Sequence, residues 1–385
     1  MSETKLPAPE TIAASHGIAT DGAYGAVAPP LYLSTTYTFE GFEQPRTYDY
    51  GRGGNPNRDM LGEALAKLEG GAGAVITSSG MAALDLLLGQ LTREDHVIVP
   101  HDCYGGTLRL VNERAARRQF RASIVDQSDD AALGAALAQG AALVLIESPS
   151  NPLMRVVDIA KITAQVRAAG ARSVVDNTFL SPALQQPIAL GADYVLHSTT
   201  KYLNGHSDVI GGALIAADAA DAAANRAWAN TTGLSGAPFD SWLTLRGLRT
   251  LFPRIERASR TAGLIAAWLE TQPDVRAVYY PGLASHPGHA LAGRQQRGFG
   301  AMMSFELEGG REAVRRFVEA VGAFTLAESL GGVESLVSHP ATMTHASMGP
   351  EARAIAGISD GLLRLSIGLE HQDDLIAGLE QGLKA

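Results

Sequence analysis

The segment between about residues 61 and 216 constrains the fold most, because short apolar runs alternate there with longer stretches of helical spacing. The predicted strands are residues 74–77, 96–99, 122–125, 143–146, 173–175, 194–196 and 213–215. Helical patterns lie between most of them, for example at residues 82–91, 131–137 and 159–168. Strands that alternate with helices in this way predict an α/β fold, with a central, mostly parallel sheet covered on both faces.

Two flanking regions differ from this pattern. Residues 1–60 lack clear periodicity and contain many Gly, Pro, Tyr and Thr residues, so we expect an N-terminal arm without a core of its own. Such an arm would lie on the rest of the chain or on another subunit. The α/β domain is predicted to span residues 61–255. A long helical pattern and predicted strands at 275–279 and 302–307 then indicate a smaller C-terminal α+β domain over residues 256–385.

Composition excludes several classes of protein. A hydrophobic content of 46% over 385 residues is enough for a large core and argues against disorder. The net charge of −9 disfavours nucleic acid and anionic membranes as partners. Because Cys103 is the one cysteine, a disulfide framework and a multi-cysteine zinc site are excluded, and we expect no metal. The first residues resemble no secretory signal, and no apolar run is long enough to span a membrane, so we predict a cytoplasmic protein.

Residues that could bind a ligand or take part in a reaction follow several of the predicted strands. Ligands of parallel sheets bind at the carboxyl ends of the strands, so these positions matter most. Gly80 and Met81 open a helix after the first strand, where backbone N–H groups favour a phosphate. Tyr104 follows the second strand and can stack on a planar ring. Asp176 ends the fifth strand, and Lys201 follows the sixth.

Each of these residues also has an ordinary explanation, such as a helix cap, a packed tyrosine or a solvated lysine. Together they match the needs of pyridoxal phosphate (PLP): an anion seat, a stacking face, a carboxylate for the ring nitrogen and a lysine for a Schiff base. A Rossmann-type binding protein is the alternative from a different class. The missing Gly-x-Gly-x-x-Gly fingerprint and the pairing of Asp176 with Lys201 count against it.

Five longer motifs resemble a known family. They are Ser-Pro-Ser-Asn-Pro at 148–152, Val-Val-Asp-Asn-Thr-Phe at 174–179, His-Ser-Thr-Thr-Lys-Tyr-Leu-Asn-Gly-His at 197–206, Leu-Ala-Glu-Ser-Leu-Gly-Gly-Val-Glu-Ser at 326–335 and Met-Thr-His-Ala at 343–346. The chain resembles the cystathionine γ-synthase/γ-lyase group of fold-type I PLP-dependent enzymes, from the Cys/Met metabolism family, over almost its whole length. The resemblance implies the fold of a fold-type I PLP-dependent transferase.

The resemblance also implies cofactor-binding residues. Lys201 would hold PLP as a Schiff base and move protons, and Asp176 would pair with the ring nitrogen. Tyr104 would stack on the ring, and Asn151 would donate a hydrogen bond to its phenolic oxygen. Burial and nearby positive charge are expected to lower the pKa of Lys201, as a general base requires. The implied phosphate ligands are Gly80, Met81, Ser198 and Thr200 of the same subunit, with Tyr50 and Arg52 of the neighbouring subunit.

Substrate-binding residues and an assembly follow from the same resemblance. Arg364 would bind the substrate α-carboxylate as a two-pronged fork, assisted by the backbone of Ser329. Arg109 and Glu328 would recognise the distal groups of amino-acid substrates. The arm would contact the neighbouring subunit, within a homotetramer built from dimers that share active sites.

The activity implied is a γ-replacement in methionine biosynthesis by transsulfuration. It joins O-succinyl-L-homoserine and L-cysteine to give L-cystathionine and succinate. The alternative is γ-elimination of cystathionine to cysteine, 2-oxobutanoate and ammonia on the same scaffold. A methionine γ-lyase is disfavoured, because members of that group carry a Tyr-Gly-Cys pattern where this chain has Tyr104-Gly105-Gly106. A cystathionine β-lyase is disfavoured, because that group has a Tyr at the position of Glu328. The sequence leaves the acyl group open.

Overall fold

The structure is a computed structural model that describes residues 7–346 and 348–385. The first six residues of the predicted N-terminal arm therefore lie outside the described residues. Two sheets organise the rest of the chain, one of seven strands and one of five.

The larger sheet confirms the predicted strands, each of which extends by a residue or two beyond its apolar run. Its strands are β1 (Gly73–Thr77), β2 (His96–Pro100), β3 (Arg121–Val125), β4 (Leu143–Glu147), β5 (Arg172–Asp176), β6 (Tyr194–Ser198) and β7 (Gly212–Ala216). Their order across the sheet is β1-β7-β6-β5-β4-β2-β3. Only β7 runs antiparallel to its neighbours β1 and β6 in this sheet, so the fold is α/β with a mostly parallel sheet, as predicted.

Helices cover both faces of this sheet, which explains why its strands are apolar on both sides. In β2, for example, Val97 and Val99 pack into one buried cluster, and Ile98 packs into another. The helices are α1 (Pro9–Ser15), α2 (Pro56–Glu69), α3 (Gly80–Leu88), α4 (Gly105–Ala116), α5 (Asp130–Leu137), α6 (Ile159–Ala168), α7 (Ser181–Leu184), α8 (Ala219–Thr232), α9 (Pro238–Leu248), α10 (Leu251–Leu269), α11 (His289–Gln295), α12 (Gly310–Ala320), α13 (Pro350–Ala356) and α14 (Gln372–Leu383), with a 3₁₀ helix at Pro187–Leu190. Within the described ranges, no helix combines the length and apolarity needed to cross a membrane.

The smaller sheet lies in the C-terminal part of the chain and confirms the two strands predicted there. Its strands are β8 (Val275–Tyr279), β9 (Met302–Leu307), β10 (Thr325–Leu326), β11 (Leu336–Ser338) and β12 (Leu362–Ser366), in the order β10-β11-β12-β9-β8. Helix α10 spans the position at which we place the domain boundary, residues 255 and 256. The division into domains therefore stays a prediction.

The N-terminal region contains one segment with buried side chains and a longer one with exposed side chains. Helix α1 buries Ile12 and Ala13 in the core shared with α2 and α10, so this segment of the arm lies on the rest of the chain, which is one of the two arrangements expected for it. A helix of seven residues is too short to show a clear apolar period. Further along, Tyr24 and Phe42 are 95% and 91% exposed. The described part of the arm therefore exposes large apolar side chains.

Candidate active site

A cavity of about 560 Å³ opens where the central strands of the larger sheet end. Every candidate site residue except Tyr50 and Arg52 contributes to its lining, although the roles of these residues stay predictions. The lining residues from that set are Gly80, Met81, Tyr104, Arg109, Asn151, Asp176, Ser198, Thr200, Lys201, Glu328, Ser329 and Arg364.

Lys201 follows β6 and is largely buried in this cavity. Its Nζ donates a hydrogen bond of 2.6 Å to Oγ of Ser329. Burial and, to a smaller degree, the positive charge of Arg364 lower the pKa of Lys201 to about 8, while Glu328 acts in the opposite direction. The expected lowering of this pKa is confirmed, and the amine can therefore exchange a proton near neutral pH.

Arg364 lies on β12, so the smaller sheet carries one wall of the cavity. Its guanidinium donates from Nη1 to Oδ1 of Asn151 at 2.8 Å and from Nη2 to the carbonyl oxygen of Ser329 at 3.0 Å. Burial lowers the pKa of Arg364 to about 10, which leaves it positively charged at neutral pH. Because Oδ1 of Asn151 accepts from Arg364, the Nδ2 amide group is the donor that remains for a ligand.

The start of α3 has free backbone N–H groups that could bind an anion. Oγ of Ser79 caps the helix by accepting from the backbone N–H of Ala82 at 3.0 Å. The N–H groups of Gly80 and Met81 in the same first turn have no acceptor within the helix. A Cβ atom on Gly80 would lie 2.9 Å from Cβ of Ser198, so only glycine lets the helix begin this close to β6. The local backbone therefore suits a phosphate group.

Thr200 lines the same cavity, but its hydroxyl already has partners. It accepts from the N–H of Gly211 at 3.0 Å and donates to the carbonyl oxygen of Gly211 at 3.2 Å. The cavity as a whole offers free N–H groups, a lysine with a lowered pKa and a carboxylate. This donor set fits the phosphate, the aldehyde and the ring nitrogen of PLP.

Asp176 and Glu147 occupy paired positions at the ends of β5 and β4. Oδ1 of Asp176 accepts from the N–H of Thr178 at 3.0 Å, and burial raises the pKa of Asp176. The carboxylate of Glu147 accepts from the N–H groups of Tyr104 and Asn151 at 2.9 and 3.0 Å. No role for Glu147 was predicted from the sequence. An acidic residue at the end of an apolar strand is nevertheless a signal that could have marked it as a candidate site residue.

The segment after β11 covers part of the cavity. Met343, Thr344 and Ala346 line it, and the ring of His345 forms a 3.1 Å hydrogen bond to the carbonyl oxygen of Asn151. Burial lowers the pKa of His345 to about 4, so this ring is neutral at pH 7 and donates from Nε2. The 343–346 motif contributed to the resemblance, but its contact with Asn151 was not expected.

Tyr50 and Arg52 lie away from the cavity of their own chain. Arg52 donates from Nε to Oδ1 of Asn230 at 3.2 Å, and its guanidinium lies 5.7 Å from the ring centroid of Tyr50. Both side chains are exposed. A role for them in a phosphate site requires a neighbouring subunit.

Comparisons with known proteins agree with this geometry. A sequence profile described as "Cys/Met metabolism PLP-dependent enzyme" matches residues 10–384. The cystathionine gamma-synthase of Escherichia coli (strain K12) is 58% identical over 376 residues, covering 97% of each chain. A cystathionine beta-lyase of Lactococcus lactis subsp. cremoris (strain MG1363) is 47% identical over 96% of this chain and 97% of the relative. The crystal structure of cystathionine gamma synthase from Xanthomonas oryzae pv. oryzae, in complex with aminoacrylate and cysteine, has a TM-score of 0.98 and 58% identity, covering 99% of this chain and 98% of that one.

Proposed function

The chain belongs to the Cys/Met metabolism family of PLP-dependent enzymes, and from this premise we propose that it catalyses a γ-replacement. The proposed substrates are O-succinyl-L-homoserine and L-cysteine, and the products are L-cystathionine and succinate. The enzyme would thus serve methionine biosynthesis by transsulfuration. The similarity to two cystathionine γ-synthases over nearly the whole chain supports this choice.

One observation carries the proposal at the level of geometry: Lys201 and Arg364 meet at Ser329. Nζ of Lys201 contacts the hydroxyl of Ser329, and Arg364 contacts its carbonyl oxygen. An amino acid whose α-carboxylate binds Arg364 would bring its α-carbon beside the amine of Lys201. This arrangement suits removal of an α-proton.

Bound PLP supplies an aldehyde for covalent attachment and a ring that withdraws electrons from the substrate. The carboxylate of Asp176 would keep the ring nitrogen protonated, and Tyr104 would stack on the ring. Asn151 would donate from Nδ2 to the phenolic oxygen. The backbone N–H groups of Gly80 and Met81 would bind the phosphate. The further phosphate ligands that we propose are the hydroxyl of Ser198 and that of Thr200, which would turn its proton from the carbonyl oxygen of Gly211 to the phosphate.

Lys201 would take the α-proton of the homoserine substrate, and a second proton would then be lost from Cβ. The succinyl group would leave Cγ as succinate. The thiol of cysteine would give up its proton as its sulfur bonds to Cγ, and protons returned to Cβ and to Cα would complete L-cystathionine. The pKa of about 8 for Lys201 supports a role in proton transfer.

Arg109 and Glu328 line the cavity with exposed side chains and are the proposed distal contacts. A succinyl ester carries a free carboxylate, which an acetyl ester lacks. The guanidinium of Arg109 would bind that carboxylate by a charge-assisted hydrogen bond. This charge match supports O-succinyl-L-homoserine over O-acetyl-L-homoserine.

We propose that the active enzyme is a homotetramer built from dimers, with Tyr50 and Arg52 reaching the phosphate of the neighbouring subunit. The exposed apolar side chains of the arm support a partner surface in this region. They include Tyr24, Val27, Leu33, Phe39 and Phe42. Cys103 is buried and forms no disulfide, so the fold needs no oxidising compartment, in keeping with the cytoplasmic location that we propose.

Cystathionine γ-lyase activity is the competing function, because the same cavity could serve both reactions. A panel of substrates separates the two. The purified enzyme is incubated with O-succinyl- or O-acetyl-L-homoserine, each with and without L-cysteine, and with cystathionine alone, and the products are quantified. Cystathionine and succinate formed only when cysteine is present support the proposal, and a preference for the acetyl ester would contradict the proposed role of Arg109.

A further inference from the structure

We infer that Glu147 is a positioning residue for the cofactor site. Its carboxylate would fix, through backbone N–H groups, the two residues proposed to contact the PLP ring and its phenolic oxygen, Tyr104 and Asn151. The inference rests on the roles proposed for those two residues and is independent of the choice between γ-replacement and γ-elimination.

The contacts of Glu147 connect two separate loops. Its side chain is buried at the end of β4, where the residue is 7% exposed. Oε2 accepts from the N–H of Tyr104 at 2.9 Å, and Oε1 accepts from the N–H of Asn151 at 3.0 Å. One carboxylate therefore holds the loop after β2 and the loop after β4 at a fixed separation.

Tyr104 depends more on this contact than Asn151 does. Tyr104 is the N-cap of α4 and makes no side-chain cap bond, and its ring is exposed to the cavity. Asn151 has further anchors, because His345 binds its carbonyl oxygen and Arg364 binds its Oδ1. Loss of Glu147 should therefore shift the Tyr104 ring first.

The chemistry of the two contacts calls for a carboxylate of this length. Two N–H donors that approach different oxygens need two acceptor oxygens, which the carboxyl group of Glu supplies and the amide group of Gln, with one oxygen and one NH2, does not. An Asp keeps the charge but is one methylene shorter, so it cannot span both donors from the same backbone position.

The carboxylates near Glu147 disfavour its ionised form. Burial raises the pKa of Glu147 well above its usual range, and Asp176 and Asp102 raise it further. The N–H groups of Tyr104 and Asn151 act in the opposite direction. The two N–H donors are therefore the contacts that compensate for placing a carboxyl group at this buried position.

The test uses the purified holoenzyme of Glu147→Gln and Glu147→Asp. Equilibrium dialysis measures the PLP dissociation constant, visible circular dichroism reports the placement of the bound ring, and urea unfolding reports stability. We expect both variants to bind PLP roughly tenfold more weakly or worse, since each loses one of the two hydrogen bonds that hold Tyr104 and Asn151. We also expect a weaker visible dichroism band, with an unfolding midpoint for Glu147→Gln that is not below that of the wild type.

Matched variants separate this inference from the roles on which it rests. Glu306→Gln removes a half-buried carboxylate of the smaller sheet, paired with Arg276 at 3.6 Å, and should leave PLP binding unchanged. Tyr104→Ala and Asn151→Ala should each weaken PLP binding. If they do not, the proposed roles fail and the inference fails with them.

Two results would overturn the inference alone. The first is weakened PLP binding in Tyr104→Ala and Asn151→Ala together with wild-type affinity and dichroism in Glu147→Gln. The second is wild-type affinity and dichroism in Glu147→Asp, since two carboxyl oxygens on a shorter side chain would then suffice. The Asp variant keeps the inference testable if Glu147→Gln does not fold.

Discussion

Arg364 donates a 2.8 Å hydrogen bond from Nη1 to Oδ1 of Asn151, a residue 213 positions earlier in the chain. This bond joins β12 of the smaller sheet to the loop after β4 of the larger one. The group proposed to bind the substrate is thereby held by the group proposed to bind the cofactor. Arg364 is oriented before a substrate arrives, which lowers the entropic cost of binding.

Replacing this arginine should therefore damage substrate binding most. In Arg364→Lys the planar fork is lost, together with the bond to Asn151, so we expect KM for the homoserine ester to rise roughly 100-fold. Steady-state kinetics measures this change. The exposed Arg276→Lys substitution in β8 serves as the control and should leave KM unchanged. An unaltered KM in Arg364→Lys would remove Arg364 from the carboxylate site.

Lys201→Ala should abolish turnover, because the variant lacks the amine that we propose for both the covalent link to PLP and the proton transfer. A fall of at least about 10³-fold is expected for the loss of a general base. Borohydride reduction followed by mass spectrometry should fix PLP to the wild-type chain at Lys201 and not to the variant. Turnover of the variant close to that of the wild type would contradict the assignment.

The pKa of Lys201 predicts how fast the cofactor attaches at each pH. The neutral amine attacks the aldehyde, so attachment should accelerate as pH rises, with a midpoint near the lowered pKa of about 8 instead of 10.5. Stopped-flow absorbance on the cofactor-free enzyme measures these rates. A midpoint near that of free lysine would contradict the account of Lys201.

Two substitutions should move this midpoint in opposite directions. Arg364 lowers the pKa of Lys201 and Glu328 raises it. Arg364→Met should therefore shift the midpoint to higher pH, and Glu328→Gln should shift it to lower pH. Shifts of the same sign in both variants would show that electrostatics does not set this value.

The start of α3 offers a test of the phosphate seat. In Gly80→Ala the new Cβ would lie 2.9 Å from Cβ and 3.0 Å from Cα of Ser198, so the helix must move away from β6. We expect PLP affinity to fall roughly tenfold or more as the N–H groups of the first turn are displaced. Equilibrium dialysis of the holoenzyme measures the loss.

Gly134→Ala is the matched control for this substitution. Gly134 lies within α5, and no atom would approach its Cβ within 4 Å. The variant should bind PLP normally and gain about 0.5–1 kcal/mol of unfolding free energy from helix propensity. Normal PLP affinity in Gly80→Ala as well would argue against a phosphate at this helix.

The proposed exchange of residues between subunits predicts complementation. Arg52→Ala and Lys201→Ala enzymes should each be inactive, one through its neighbour's phosphate site and the other through its own. Co-expressed subunits form mixed dimers with one intact site, which should restore roughly a quarter of the wild-type activity. Mixed oligomers that stay inactive would place Arg52 outside the partner's site.

The sequence predicts the α/β sheet well because each buried strand is a short apolar run bounded by turn residues. Residues 143–146 show this, since burial on both faces leaves no polar position within the strand. Helix α1 escapes prediction, because its seven residues bury only Ile12 and Ala13. Short amphipathic segments carry too few apolar positions to establish a period.

Sequence patterns identify some residues of the candidate site but not others. Lys201 and Asp176 follow from their places at strand ends. Arg364 lies on another sheet, far along the chain, so only the resemblance placed it beside Lys201. The role of Glu147 depends on which atoms its two oxygens meet, and no sequence pattern specifies those contacts.

The most direct test of the proposed function compares two initial rates on the same enzyme preparation. One is cystathionine formation from O-succinyl-L-homoserine and L-cysteine, and the other is 2-oxobutanoate formation from cystathionine alone. The γ-replacement account predicts that synthesis is the faster reaction and releases one succinate for each cystathionine formed. Rapid breakdown of cystathionine without appreciable synthesis would contradict it and identify the enzyme as a γ-lyase.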